Sequence, residues 1–141
     1  MSEHRMTITI GPLTCVFGNH NKAMGLKLHF HTAAVFLEYS VPVSGVQTAK
    51  HWGGHGFPSF EATNDALRDR VRELTAAPFE DATNEDVAWR LFQALKGFRH
   101  GSWDRYGGDY RLIGLDLDVV GVPDSIGHDD GTTRYTIKET S

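Results

Sequence analysis

The strongest secondary-structure signal in the chain is the segment Asp109-Tyr-Arg-Leu-Ile-Gly-Leu-Asp-Leu-Asp-Val-Val-Gly-Val122. Apolar side chains occupy every second position of its central part, which is typical of a β-strand with one face in a core. The predicted core face carries Arg111, Ile113, Leu115, Leu117 and Val119. Asp116 and Asp118 fall on the opposite face, where carboxylates are either solvated or able to hold a hard cation such as magnesium.

Two amphipathic helices are predicted upstream of this strand. The apolar stripe of the first consists of Phe60, Leu67, Val71 and Leu74. Ser59 is placed to cap its start, and Pro78 ends it. The second helix begins at Thr83, because Thr83-Asn-Glu-Asp86 resembles a capping box, and Gly97 closes it. Its stripe consists of Val87, Leu91, Leu95 and Phe98. Together the two helices form a predicted helical hairpin.

The N-terminal part of the chain predicts four short strands, at residues 5–10, 13–17, 26–31 and 33–41. Gly11-Pro12 separates the first two, so that the second folds back on the first. In the third strand Leu26, Leu28 and Phe30 point one way. Lys27, His29 and His31 point the other way and form its polar side. Short connections between the strands predict an antiparallel meander.

The C-terminal end adds a turn at residues 129–131, Asp-Asp-Gly, and an edge strand at residues 132–138. The predicted order is ββββ-αα-ββ. This order indicates an α+β fold in which an antiparallel sheet of about six strands carries the helical hairpin on one face. Residues 1–141 are predicted to form a single domain, since no linker or repeat divides them.

Composition excludes several classes of function. A net charge of −4 argues against a domain dedicated to long nucleic acids, which would present a basic face. Cys15 is the only cysteine, so no intrachain disulfide is possible, and the chain suits a reducing compartment. No apolar run approaches the length of a membrane span. We therefore expect a soluble, cytoplasmic protein with no membrane partner.

Two glycine-rich stretches are the candidate binding loops. The first, residues 96–108, supplies Arg99, His100, Trp103, Arg105 and Tyr106. Arginine offers forked donors to phosphate or carboxylate, aromatic rings offer stacking surfaces, and glycine lets the backbone approach a ligand closely. The second stretch, residues 42–58, has a similar composition and supplies His51, Trp52 and His55. We predict that both contact a small, flat, anionic ligand.

The histidines allow an alternative prediction. His29 and His31 have strand spacing and leave the same face, and His51 and His55 follow in the second loop. Neutral imidazoles are good zinc ligands, so four of them converging on one point would make a zinc site that activates water for an enzymatic reaction. The chain holds no nucleophile elbow and no phosphate-binding loop, so hydrolytic chemistry has no other support.

The leading prediction is a non-enzymatic, homo-oligomeric module that binds a small anionic ligand, such as a nucleotide or a cyclic nucleotide-type signal, without a cofactor. The element order and loop composition are similar to those of small phage proteins that sequester nucleotide immune signals. That resemblance implies an oligomer that holds its ligand without cleaving it, and thus an anti-defence role. The alternatives are the zinc enzyme and a protein-binding inhibitor or immunity-type module.

Overall fold

A computed structural model describes residues 4–43, 60–99, 109–120 and 131–139. The elements are β1 (Arg5–Asn21), β2 (Leu26–Pro42), α1 (Phe60–Thr75), α2 (Asn84–Lys96), β3 (Arg111–Val120) and β4 (Thr132–Lys138). The strands form one antiparallel sheet in the order β1-β2-β3-β4. The α+β class is confirmed, but within the described residues the order is ββ-αα-ββ, with four strands in place of six.

The prediction of two short strands on either side of Gly11-Pro12 is wrong, because β1 runs straight through this dipeptide. Ile10 pairs with Leu37 and Leu13 pairs with Val35, so β1 has one residue more than β2 at this point. This β-bulge keeps both Ile10 and Leu13 on the buried face. Gly11 adopts a φ of +149°, where an added Cβ would lie 2.8 Å from the Val35 carbonyl oxygen. Glycine is therefore required for the bulge.

The predicted third and fourth strands also form one element, β2, whose register with β1 is unbroken from His31 to Val35. In the first part of β2, the buried and exposed faces are the reverse of the prediction. Leu28 and Phe30 are 50% and 58% exposed, whereas His29 and His31 face the helices. Side chains of a strand alternate between its two faces. Because every second residue from Ala33 to Val41 is buried against the helices, His29 and His31 fall on that same face.

The predicted core face of β3 is right for Leu115, Leu117 and Val119, which are buried. It is wrong at the start of the strand. Gly114 pairs with Glu38 and Leu112 pairs with Tyr39, so a second bulge inserts one extra residue. Leu112 is therefore buried in the core. Arg111 lies on the opposite face of the sheet, which α1 and α2 do not cover and which we call the open face.

Both helices cover one face of the sheet, α1 against β1 and α2 against β3 and β4. The predicted capping box of α2 is confirmed: the Thr83 backbone N–H donates to Asp86 Oδ2 (3.0 Å), and the Asp86 N–H donates to Thr83 Oγ1 (3.3 Å). Burial raises the pKa of the Cys15 thiol to about 11, so Cys15 is a core residue and not a reactive thiolate. Neither described helix is long and apolar enough to cross a membrane.

The two ends of the sheet are distinguished by the chain segments that adjoin them. The end that we call the loop end is formed by Arg5, Pro42 and Arg111, where β2 ends and β3 begins. The opposite one, which we call the hairpin end, is where β1 turns into β2 at residues 22–25. Helix α2 begins at the hairpin end, where Asn84 contacts Asn19, and it ends at the loop end, where Lys96 forms an ion pair with Glu139.

Candidate functional site

Most of the predicted ligand contacts lie outside the described residues. These are His51, Trp52, His55, His100, Trp103, Arg105 and Tyr106. The exception is Arg99, an exposed residue just after the end of α2. The structure therefore describes the residues at which the two predicted binding loops attach, and these residues show at which end of the sheet the loops begin or end.

Both predicted binding loops attach at the loop end of the sheet. Residues 44–59 follow β2 after Pro42, which pairs with Arg5 in the first register position of β1. Residues 100–108 lie between Arg99, after α2, and Asp109, before β3. The topology thus brings an attachment point of each loop to the same side of the molecule.

The guanidinium of Arg5 links these two attachment points. Its Nε donates to Ser40 Oγ (2.8 Å) and its Nη2 donates to the Ser40 carbonyl oxygen (2.9 Å). The same Nη2 donates to the Asp109 carbonyl oxygen, and Nη1 donates to Asp109 Oδ2, both at 2.9 Å. The fork of donors on one arginine suits this arrangement. Sequence reasoning missed Arg5, because no local pattern connects it with a partner 104 positions away.

Asp109 receives a second arginine. Arg111 Nε donates to Asp109 Oδ1 (3.0 Å), and Arg111 Nη2 donates to Oδ2 (3.1 Å). These hydrogen bonds, and secondarily those from Arg5, hold the pKa of Asp109 below its ordinary value. Two guanidiniums therefore share one carboxylate, and this leaves an excess of positive charge next to the end of residues 100–108.

The two described histidines of the zinc prediction lie at the hairpin end. The ring centroids of His29 and His31 are 4.6 Å apart and the rings are nearly perpendicular, at 78°. His29 Nδ1 lies 2.7 Å from the Lys27 carbonyl oxygen. Across the described ranges no group of three His, Cys, Asp or Glu side chains is placed to hold a metal. His51 and His55 lie outside those ranges, so the four-histidine site stays a prediction.

The carboxylates of Asp116 and Asp118 lie on the open face of the sheet, as predicted. Arg134 forms a bidentate pair with Asp118, with Nε to Oδ1 at 2.6 Å and Nη2 to Oδ2 at 2.9 Å. Thr136 donates to Asp116 Oδ1 (2.6 Å). The hydrogen bonds from Arg134 hold the pKa of Asp118 below its ordinary value. Strand β4 therefore supplies hydrogen-bond partners for both carboxylates.

An exposed apolar cluster occupies the hairpin end of the open face. We call it the open-face patch, and it consists of Val16, Leu28, Phe30 and Val120. Phe30 and Leu28 lie over Gly18, where an added Cβ would come within 2.7 Å of the Phe30 ring. Exposed apolar side chains grouped in this way are typical of interaction surfaces.

Comparisons with known proteins supply no family. No protein-family model matches the chain, and no curated protein matches it. The resemblance to nucleotide-sequestering phage proteins depended on four strands before the helices, whereas the described residues before α1 form two. That resemblance therefore loses the topology on which it was based.

Proposed function

We propose that the chain is a non-enzymatic binding module that sequesters a small anionic ligand, such as a nucleotide or a cyclic nucleotide-type signal. The proposed contacts are Arg99, His100, Trp103, Arg105 and Tyr106, with His51, Trp52 and His55 from the second loop. The observation that carries the proposal is the position of Arg5, which binds Ser40 and Asp109 and so holds an attachment point of each loop at one end of the sheet.

The charge at the loop end supports an anion as the ligand. Arg5 and Arg111 share the single carboxylate of Asp109, and Arg99 lies at the start of the adjoining loop. The positive charge of Arg5 and Arg111 would attract a phosphate to this end of the sheet, and the hydrogen-bond donors to it would come from the residues of the two loops.

The position of the histidine pair favours the binding module over the zinc enzyme. His31 and Pro42 lie on the same strand, roughly 36 Å apart at about 3.3 Å per residue. Residues 44–59, which carry His51 and His55, follow Val43 in the chain, and Val43 lies at the loop end. To join His29 and His31 in one site, the chain from Val43 to His51 and His55 would have to reach back along the sheet over about that same distance.

The open-face patch supports a homo-oligomer. Its side chains, Phe30 above all, would leave water if the open faces of two copies met. The protein-binding alternative would use the same patch for a different partner. Native mass spectrometry of the gently purified protein distinguishes the two, since a chain that is monomeric throughout the micromolar range would contradict the homo-oligomer.

Isothermal titration calorimetry with a panel of mononucleotides and cyclic dinucleotides tests the ligand. Trp103→Ala and Arg105→Ala should each weaken binding at least tenfold without lowering the urea midpoint of unfolding. Matched controls are Trp89→Ala and Arg70→Ala, which remove an exposed tryptophan and an exposed arginine from the helices. Equal affinity in all four variants would place the site elsewhere, and no binding by any nucleotide would contradict the proposed ligand class.

A further inference from the structure

A cavity with several polar side chains in its lining lies at the hairpin end, on the helix-covered side of the sheet. We call this cavity, of about 250 Å³, the histidine pocket. Its polar lining comes from β1, β2, β4 and the start of α2, and includes Asn19, His29, His31, Asn84, Glu85 and Tyr135. The pocket is separate from the loop end, so a ligand bound there would add to the proposed function and would not depend on it.

Asn19, which lines this pocket, carries an unpartnered acceptor. The residue is 1% exposed, and its Nδ2 donates to the Ala82 carbonyl oxygen (3.0 Å) and to Asn84 Oδ1 (3.1 Å). A carbonyl oxygen can only accept, so this pairing sets which end of the amide is nitrogen. Asn19 Oδ1 is buried and has no hydrogen-bond partner. Such groups in folded proteins are usually satisfied by a ligand or a water.

His31 adds two further unpartnered atoms. Neither Nδ1 nor Nε2 is exposed to solvent, and neither has a hydrogen-bond partner. Packing alone orients the ring, against Phe17 on one side (5.2 Å between centroids) and His29 on the other. Burial, with a smaller contribution from His29, lowers the pKa of His31. The ring is therefore neutral near pH 7 and offers one N–H donor and one nitrogen acceptor.

These unpartnered atoms lie on the same side of two paired strands. Phe17 pairs with His31 and Asn19 pairs with His29, so Asn19 and His31 are diagonal neighbours on the helix-covered face. Asn84 connects Asn19 to strand β4, since Asn84 Nδ2 donates to the Tyr135 hydroxyl oxygen (3.3 Å). The pocket is thus bounded by fixed polar groups on both sides.

We propose that the histidine pocket binds a small uncharged molecule that presents a hydroxyl or carboxamide group. Asn19 Oδ1 requires a donor, which a carboxylate or a fully ionised phosphate monoester lacks. The N–H of a neutral imidazole requires an acceptor, which an ammonium group lacks. A hydroxyl or a carboxamide supplies both. The Leu26 and Met24 side chains, which also line the pocket, suit a short apolar remainder.

A size-matched series of probes tests this proposal on the full chain. The probes are propionamide, 1,2-propanediol, propionate and propylamine, titrated to millimolar concentration. Imidazole NMR resonances report the position of binding, and saturation-transfer NMR reports affinity. We expect propionamide or 1,2-propanediol to shift the His31 resonances saturably, and the two charged probes to bind at least tenfold more weakly.

His31→Phe is the decisive variant, because it keeps a flat ring between Phe17 and His29 but removes both nitrogens. We expect it to bind the neutral probes at least tenfold more weakly while its urea midpoint stays equal or rises. The control is His4→Phe, an exposed histidine at the loop end, which should bind as the unmodified protein does. The proposal is overturned if no probe shifts His31, if the charged probes bind equally well, or if His31→Phe binds normally.

Discussion

The loop end and the hairpin end of the sheet differ in whether their polar side chains have hydrogen-bond partners. At the loop end, Arg5 directs its donors to Ser40 and Asp109, and Arg111 completes the shell of the same carboxylate. At the hairpin end, Asn19 Oδ1 and both ring nitrogens of His31 are buried without partners. The first arrangement stabilises the fold, whereas the second leaves hydrogen-bonding capacity unused.

This difference means that the described side chains have a structural role at the loop end and a proposed binding role at the hairpin end. Satisfied hydrogen bonds at the loop end hold the attachment points of the two predicted binding loops, so any binding there comes from residues those loops carry. Unsatisfied atoms at the hairpin end are themselves the binding groups. Changes at the two ends should therefore alter stability with opposite signs.

The largest effect is expected from Arg5→Leu. Leucine retains an apolar stem but removes four hydrogen bonds, two of which reach Asp109. Hydrogen bonds to charged groups contribute about 1.5–3 kcal/mol each when buried, and the partial exposure of Arg5 reduces this. We expect a loss of about 2 kcal/mol in the free energy of unfolding, measured by urea denaturation.

Two further variants sharpen the result for Arg5. Arg5→Lys keeps the charge but cannot form a fork, so it should lose an intermediate amount. Arg70→Leu breaks an exposed pair with Glu73 on α1 and should change stability by less than about 0.5 kcal/mol. An Arg5→Leu protein as stable as the Arg70→Leu protein would mean that the loop end does not depend on Arg5.

A smaller effect of opposite sign is expected from His31→Phe. Removing both nitrogens of a ring that leaves them buried and unpaired should raise the free energy of unfolding by about 1 kcal/mol. The urea midpoint measured in ligand-free buffer checks this, with the exposed His4→Phe as the unchanged control. A loss of stability would show that the ring nitrogens have partners in solution, and the contrast between the two ends would then fail.

Sequence reasoning predicted the helices and the long C-terminal strand because each depends on local periodicity. The wrong assignments of strand faces have two causes. One is the β-bulges, and the other is the choice of which alternate residues of β2 face the core. The bulges at Gly11 and at the start of β3 each insert a residue, and each reverses the faces that a strict period of two assigns. A switch in the parity of buried residues, from Ile10 to Leu13, was the available signal for the first bulge.

The polar contacts were beyond the reach of sequence patterns. Arg5 and Asp109 are distant in the chain and meet only through the sheet register. The unpartnered state of Asn19 and His31 depends on where Ala82, Asn84 and Phe17 come to lie. His29 and His31 were identified as site candidates from their spacing, but the face they occupy followed only from the burial of the strand beyond them.

The smallest expected effect is a pH dependence that belongs to His31. Its pKa in the folded protein lies below the ordinary value of 6.5, so the unfolded chain binds a proton more readily than the folded one. The resulting contribution to stability is fully present above pH 6.5 and is lost as the pH falls through the lower folded value. His31→Phe removes this contribution while His29 and Glu85 remain in place. The difference in urea midpoint between the variant and the unmodified protein should therefore widen from pH 7.5 to pH 5. A constant difference would show that His31 is protonated equally in both states, which would contradict its burial as a neutral ring.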